Sequence, residues 1–237
     1  MSEEIRNEEQ TEGSSVPELH RIVDMGSAVT RTAHGNIHCL TIVGQVEGHA
    51  LAAQGIKTTK YEHVMPLLAA LEENDDIAGV LFLLNTMGGD VEAGLGIAEL
   101  IAGMSKPTVS LVLGGSHSIG IPLAVAAKTS FAVPSAAMTV HPVRMSGTMI
   151  AAPQTYNYFD RLQERIVEFV VANSRISRKD FLKLMLKTGE ISSDVGSVLY
   201  GKEAVDKGII DRVGGLGDAL TELYRLIDEN KHVENVE

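Results

Sequence analysis

A single α/β domain with a mainly parallel sheet is predicted for this chain from three observations. Apolar runs of strand length alternate with segments of helical period along most of the sequence. One of those runs, IAGVLFLL (77–84), is apolar throughout, as a strand buried on both faces of a parallel sheet is. A long amphipathic segment, 154–174, supplies a helix that must cover its apolar stripe against the rest of the molecule.

The elements follow in order. Residues 1–33 are polar, acidic and without period, which predicts a flexible acidic N-terminal arm preceding a domain over 34–237. NIHCLTIVGQV (36–46) is the first buried strand. KYEHVMPLLAALEE (60–73) is a helix with Val64, Leu68 and Leu71 on one stripe, starting or kinking near Pro66. After the 77–84 strand, VEAGLGIAELIAG (91–103) reads as helix and PTVSLVLG (107–114) as strand. SIGIPLAVAAK (118–128) is a short helix, and TSFAVP and AAMTVHP are short strands. In the long helix, Phe159, Leu162, Ile166, Phe169 and Val170 mark the apolar face; Asp160, Arg161, Glu164 and Arg165 lie off it. SRKDFLKLMLKTG (177–189) opens with a serine cap and ends in glycine. The strand IIDRV and the helix DALTELYRLIDEN close the fold.

Composition narrows the function classes. A formal net charge of −11 argues against nucleic acid and against attraction to an anionic membrane surface. Apolar stretches are broken well short of the ~20 residues that span a bilayer, so no membrane insertion is expected. The acidic start carries no apolar signal-peptide core. Cys39, the single cysteine, sits in an apolar run as a structural thiol and has no internal disulfide partner. These features together predict a cytoplasmic protein. No H-E-x-x-H zinc pattern is present, so neither a metal nor another cofactor is expected.

The chemistry-bearing residues cluster in the middle of the chain. Gly88-Gly89 follow the buried strand and precede a helix, where backbone N–H groups could approach a ligand or an oxyanion closely; a tight turn is the plainer reading. No phosphate-loop or dinucleotide pattern fits these glycines. Ser118 lies at the start of a short helix, as a nucleophile or as an N-cap. Ser116 is a rival nucleophile. His141 ends a strand and could aim into a cleft as a general base, or pack as a core histidine. His117, beside Ser118, is expected to point away from it. A Ser-Lys arrangement with Lys128 is disfavoured by its place at the far end of the same helix.

Taken together, T-M-G-G (86–89), S-I-G (118–120) and V-H-P (140–142) resemble the Clp protease proteolytic subunit family, whose pattern is S-P-G-G, S-M-G and I-H-Q-P. IVGQVEGH (42–49) and AVDKGIID (204–211) extend the likeness over about residues 36–215. The resemblance implies a ClpP/crotonase-type fold in which 154–174 is the long handle helix between stacked rings. It implies a serine endopeptidase with Ser118 as nucleophile, His141 as base and the Gly89 and Ile119 N–H groups as oxyanion hole. It also implies a homo-oligomeric ring (heptamer or tetradecamer), peptide or unfolded-protein substrates, an ATPase partner or ATP-independent cleavage of small peptides, and a role in quality control or preprotein translocation.

The chain departs from the family at Thr86-Met87, in an apparent insertion at 55–60, and in the acid of the triad. Anchoring on AVDKGIID puts Gly196 where the family has aspartate; Asp194 is the first substitute and Glu190 the second. Without a placed acid, two other readings stand: a ClpP-like scaffold that binds polypeptides without turnover, and a crotonase-like acyl-CoA enzyme.

Overall fold

The computed structural model describes residues 26–144, 151–189 and 195–234. The described residues open with an antiparallel pair, β1 (Ser27–Thr32) and β2 (Gly35–Glu47). It continues through β3 (Thr58–Lys60), α1 (Tyr61–Glu73), β4 (Ile77–Gly89), α2 (Val91–Gly103), β5 (Thr108–Ser116), α3 (Gly120–Val125), β6 (Thr129–Ala132) and β7 (Ala137–Val140). The long helix α4 (Ala152–Ala172) is followed by α5 (Arg178–Met185), β8 (Ser197–Tyr200), α6 (Gly201–Asp206), β9 (Arg212–Val213) and α7 (Leu216–Glu234). The main sheet has the order β1-β2-β4-β5-β6-β9, and every pair in it except β1–β2 is parallel. β7 adds to β5 through a single parallel bridge and pairs antiparallel with β8. This is a mixed α/β single domain with a mostly parallel sheet, as the sequence predicts.

β4 shows why its run is apolar throughout. Val80, Phe82 and Leu84 enter one core, against the helices α1 to α5. Leu81 and Leu83 on the other face pack in a second core with Ala219, Leu223 and Ile227 of α7. A strand covered on both faces needs no polar alternation. Phe82 is fully buried, and Phe82→Ala would cost about 3–5 kcal/mol.

The predicted stripe of α1, Val64, Leu68 and Leu71, is buried as expected. α4 buries Leu162, Val167, Phe169 and Val170, while Tyr156 and Tyr158 near its start are 70% and 54% exposed. Ion pairs brace α4 to its neighbours: Arg165 to Glu92 of α2 at 2.7 Å, and Arg178 of α5 to Glu164. All four side chains are 39–51% exposed, so solvent screens both pairs, and the apolar face holds the helix in place.

Two boundaries differ from the sequence expectation. The sheet begins at Ser27, inside the segment expected to be an arm, because Ser27–Thr32 pairs residue for residue with 35–40. The second concerns Gly88 and Gly89. They extend β4, opposite Gln45 and Val46, where a turn was expected. Among the described residues no helix is long and apolar enough to cross a membrane.

Candidate active site

The end of β4 sets the first wall of the site. Gly88 and Gly89 have φ of +91° and +151°, a region that favours glycine. A Cβ on Gly89 would lie 2.2 Å from Val46 O, so the backbones approach as only glycine permits. The Asp90 N–H donates to Val46 O at 3.0 Å. In a parallel ladder, bonded residues on one strand alternate with residues whose N–H and C=O face outward. With Val46 the bonded residue, Gly89 directs its N–H away from β2. On that side β5 has diverged, its last bridge being Thr86 to Ser116.

The chain that leaves β5 fills the space. Ser118 has φ +57° and is the one non-glycine residue at positive φ among the described residues. Such a conformation is strained for an L side chain and persists only where the surroundings impose it. Four contacts impose it here. His117 N–H donates to Thr86 O (3.1 Å), and Ser118 N–H to Thr139 O (2.9 Å). Gly120 N–H donates to His117 O (2.9 Å), and Ile121 N–H to Ser118 O (3.0 Å). The Ile119 amide, in the midst of these, makes no hydrogen bond among the described residues. Ser118 therefore does not cap α3, which starts at Gly120 without a side-chain cap. Ser116 is fully buried and its hydroxyl donates to Gly120 O at 2.6 Å, which removes it as a nucleophile. Lys128 is exposed and lies three residues beyond the end of α3.

His141 follows β7. Its Nδ1 lies 2.6 Å from Pro142 O. A carbonyl only accepts, so Nδ1 carries a proton, and in the neutral imidazole Nε2 is the nitrogen with the lone pair. Gly196, preceding β8, packs directly on this histidine: a Cβ there would lie 2.9 Å from His141 Cβ. Asp194 and Glu190 lie outside the described residues.

These walls enclose a cavity of about 130 Å³ lined by Gly89, Ser118, Ile121, His141, Ile166 and Phe181, among others. Ser118 and His141 thus share one space, although the Ser118 hydroxyl makes no hydrogen bond to the imidazole here. Catalytic hydrogen bonds commonly tighten only in the Michaelis complex. The apolar floor comes from α3, α4 and α5. Phe181 and Met185 of α5 were not singled out by sequence, since a buried Phe and Met on a helix read as core. His117 is not among the lining residues; its Nδ1 lies 2.8 Å from Thr139 Oγ1. Burial first, and then the charge of His141, push the His117 imidazole below the ordinary histidine range.

A strained serine and a histidine thus line one cavity, at the end of a glycine-terminated strand in a parallel sheet. Residues 34–216 match the family model described as Clp protease, and the chain belongs to that family. It is 50% identical to translocation-enhancing protein TepA of Halalkalibacterium halodurans over 225 residues, which cover 94% of this chain and 88% of that protein. It is 25% identical to ATP-dependent Clp protease proteolytic subunit 1 of Chlamydia muridarum over 140 residues, covering 56% and 69%.

Proposed function

We propose that the protein is a serine endopeptidase of the ClpP type, acting on peptides or unfolded polypeptides. The observation that carries this reading is the left-handed Ser118, held on the wall of the cavity it shares with His141. Ser118 Oγ attacks the peptide carbonyl carbon while His141 Nε2 takes its proton. The carbonyl oxygen becomes an oxyanion that accepts from the Gly89 and Ile119 N–H groups. Collapse of the tetrahedral intermediate breaks the C–N bond, and His141 returns the proton to the leaving amine. Water then hydrolyses the acyl-enzyme by the same route. The apolar floor, Ile121, Ile166 and Phe181, suits a single apolar side chain of the substrate.

Asp194 is the proposed orienter of His141. It precedes Gly196 by two residues, a reach of ~7 Å, and Gly196 packs on the imidazole-bearing residue. The assembly we infer is a homo-oligomeric ring, heptamer or tetradecamer, with exposed Tyr156 and Tyr158 of α4 available for contacts between copies. An ATPase partner and a place in quality control or preprotein translocation fit the family and the name of the TepA relative.

One observation favours a second reading, a ClpP-like scaffold that binds polypeptides without turnover: the residue against His141 is a glycine. The two readings separate in a peptide-hydrolysis assay of the parent against Ser118→Ala. The peptidase loses activity by orders of magnitude on substitution; the scaffold has none to lose.

A further inference from the structure

Thr139 touches the nucleophile's turn twice. Its carbonyl accepts the Ser118 N–H at 2.9 Å, and its hydroxyl lies 2.8 Å from His117 Nδ1. β7 alternates half-buried Ala137 and Thr139 with buried Met138 and Val140, so Thr139 shares a face with His141, two residues on. The His117 ring is fixed on its other side too: a Cβ on Gly115 would lie 2.4 Å from His117 Nε2. With its protonation suppressed by burial, the imidazole is neutral at ordinary pH and can pair with a hydroxyl in either sense.

We propose that His117 is a positioning residue for the nucleophile: clamped to Thr139, it locks the Ser118 turn to the strand that carries His141. The role follows from the strain at Ser118. A left-handed serine relaxes toward negative φ unless both flanks are held. Of the four backbone bonds at the turn, only Ser118 N–H to Thr139 O ties it to β7, and a single bond there lets the turn pivot against that strand. The His117–Thr139 pair, one residue earlier, supplies the second point. Two points on one residue of β7 fix the distance and angle between Ser118 and the base at the end of that strand. A packing role alone would ask only for a side chain of suitable volume at 117.

The inference rests on Ser118 being the nucleophile. The test is the second-order rate of fluorophosphonate labelling at Ser118 in the full-length protein, for the parent, Thr139→Val, Thr139→Ser, His117→Ala, His117→Asn and the double variant His117→Ala/Thr139→Val. Thr139→Val keeps the shape and removes the hydroxyl, so it slows labelling by about tenfold or more, the size expected for releasing a strained backbone. Thr139→Ser and His117→Asn, which retain a bonding pair, stay within about threefold of the parent. The double variant is no slower than the slower single one, because both remove one clamp. Thermal unfolding measured alongside separates loss of the clamp from loss of the fold. Labelling of Thr139→Val at the parent rate overturns the positioning role and leaves the nucleophile standing. A parent that takes no label at Ser118 overturns both.

Discussion

Gly196 and His141 are in direct backbone contact: a Cβ on Gly196, at φ +140°, would lie 2.5 Å from Val140 O and 2.9 Å from His141 Cβ. The glycine is what lets β8 close against the end of β7. Gly196→Ala must push His141 or its own loop aside, at a cost of about 1–3 kcal/mol for the backbone alone. Fluorophosphonate labelling of this variant at Ser118 is expected to fall about tenfold or more. Labelling at the parent rate would show that the contact does not set the position of the base.

Asp194 carries the next expectation. A carboxylate that fixes the imidazole is worth up to ~10⁴ in turnover when replaced by its amide. Peptide hydrolysis by Asp194→Asn is expected to drop toward that limit. In the described residues the His141 Nδ1–H already donates to Pro142 O. A loss of only a few-fold would assign tautomer control to that carbonyl instead.

Glu222 gives the acid side of stability. Its carboxylate is 5% exposed and accepts from Arg225 at 2.7 Å and Arg212 at 2.8 Å. Hydrogen bonding from Arg225, against the opposing effect of burial and with Arg212 adding to it, lowers its pKa from 4.5 to about 2. A depressed folded-state pKa means that this stabilisation is fully present above about pH 4.5. It is lost as pH falls toward about 2. Glu222→Gln is expected to be less stable than the parent in urea at pH 7, and the gap should narrow between pH 4.5 and 2. A gap that stays constant over that window would contradict the assignment.

Assembly is tested by native mass spectrometry at ordinary salt. The expected particle is seven or fourteen times the 25.4 kDa chain. Tyr156→Asp/Tyr158→Asp, on the exposed start of α4, is expected to halve a tetradecamer or weaken the ring. A parent that is monomeric at micromolar concentration would refute the ring.

The sheet and the strands that lead to Ser118 and His141 were legible because they depend on period and order. The unbroken apolar run of β4, the stripe Val64, Leu68 and Leu71, and the Ser177 cap, which accepts from Asp180 N–H, are local signals. What escaped depends on partners distant in sequence. Ser118 reads as a helix cap until Thr139, 21 residues on, is seen to hold it in the left-handed region. The glycines after Met87 read as a turn until Val46 is seen paired with Gly89. β1 is short, with polar Thr30, Arg31 and Thr32, and only its antiparallel partner makes it a strand. Phe181 and Met185 carry no signal that separates a cavity wall from ordinary core.

Covalent labelling reads directly whether Ser118 is an activated nucleophile, as proposed. Intact parent protein is treated with a fluorophosphonate, and the modified residue is located by peptide mass mapping, with Ser118→Ala and His141→Ala alongside. One adduct per chain is expected, on Ser118, absent in the first variant and strongly slowed in the second. A folded, assembled parent that takes no adduct, or takes it elsewhere at the same rate in Ser118→Ala, would contradict it.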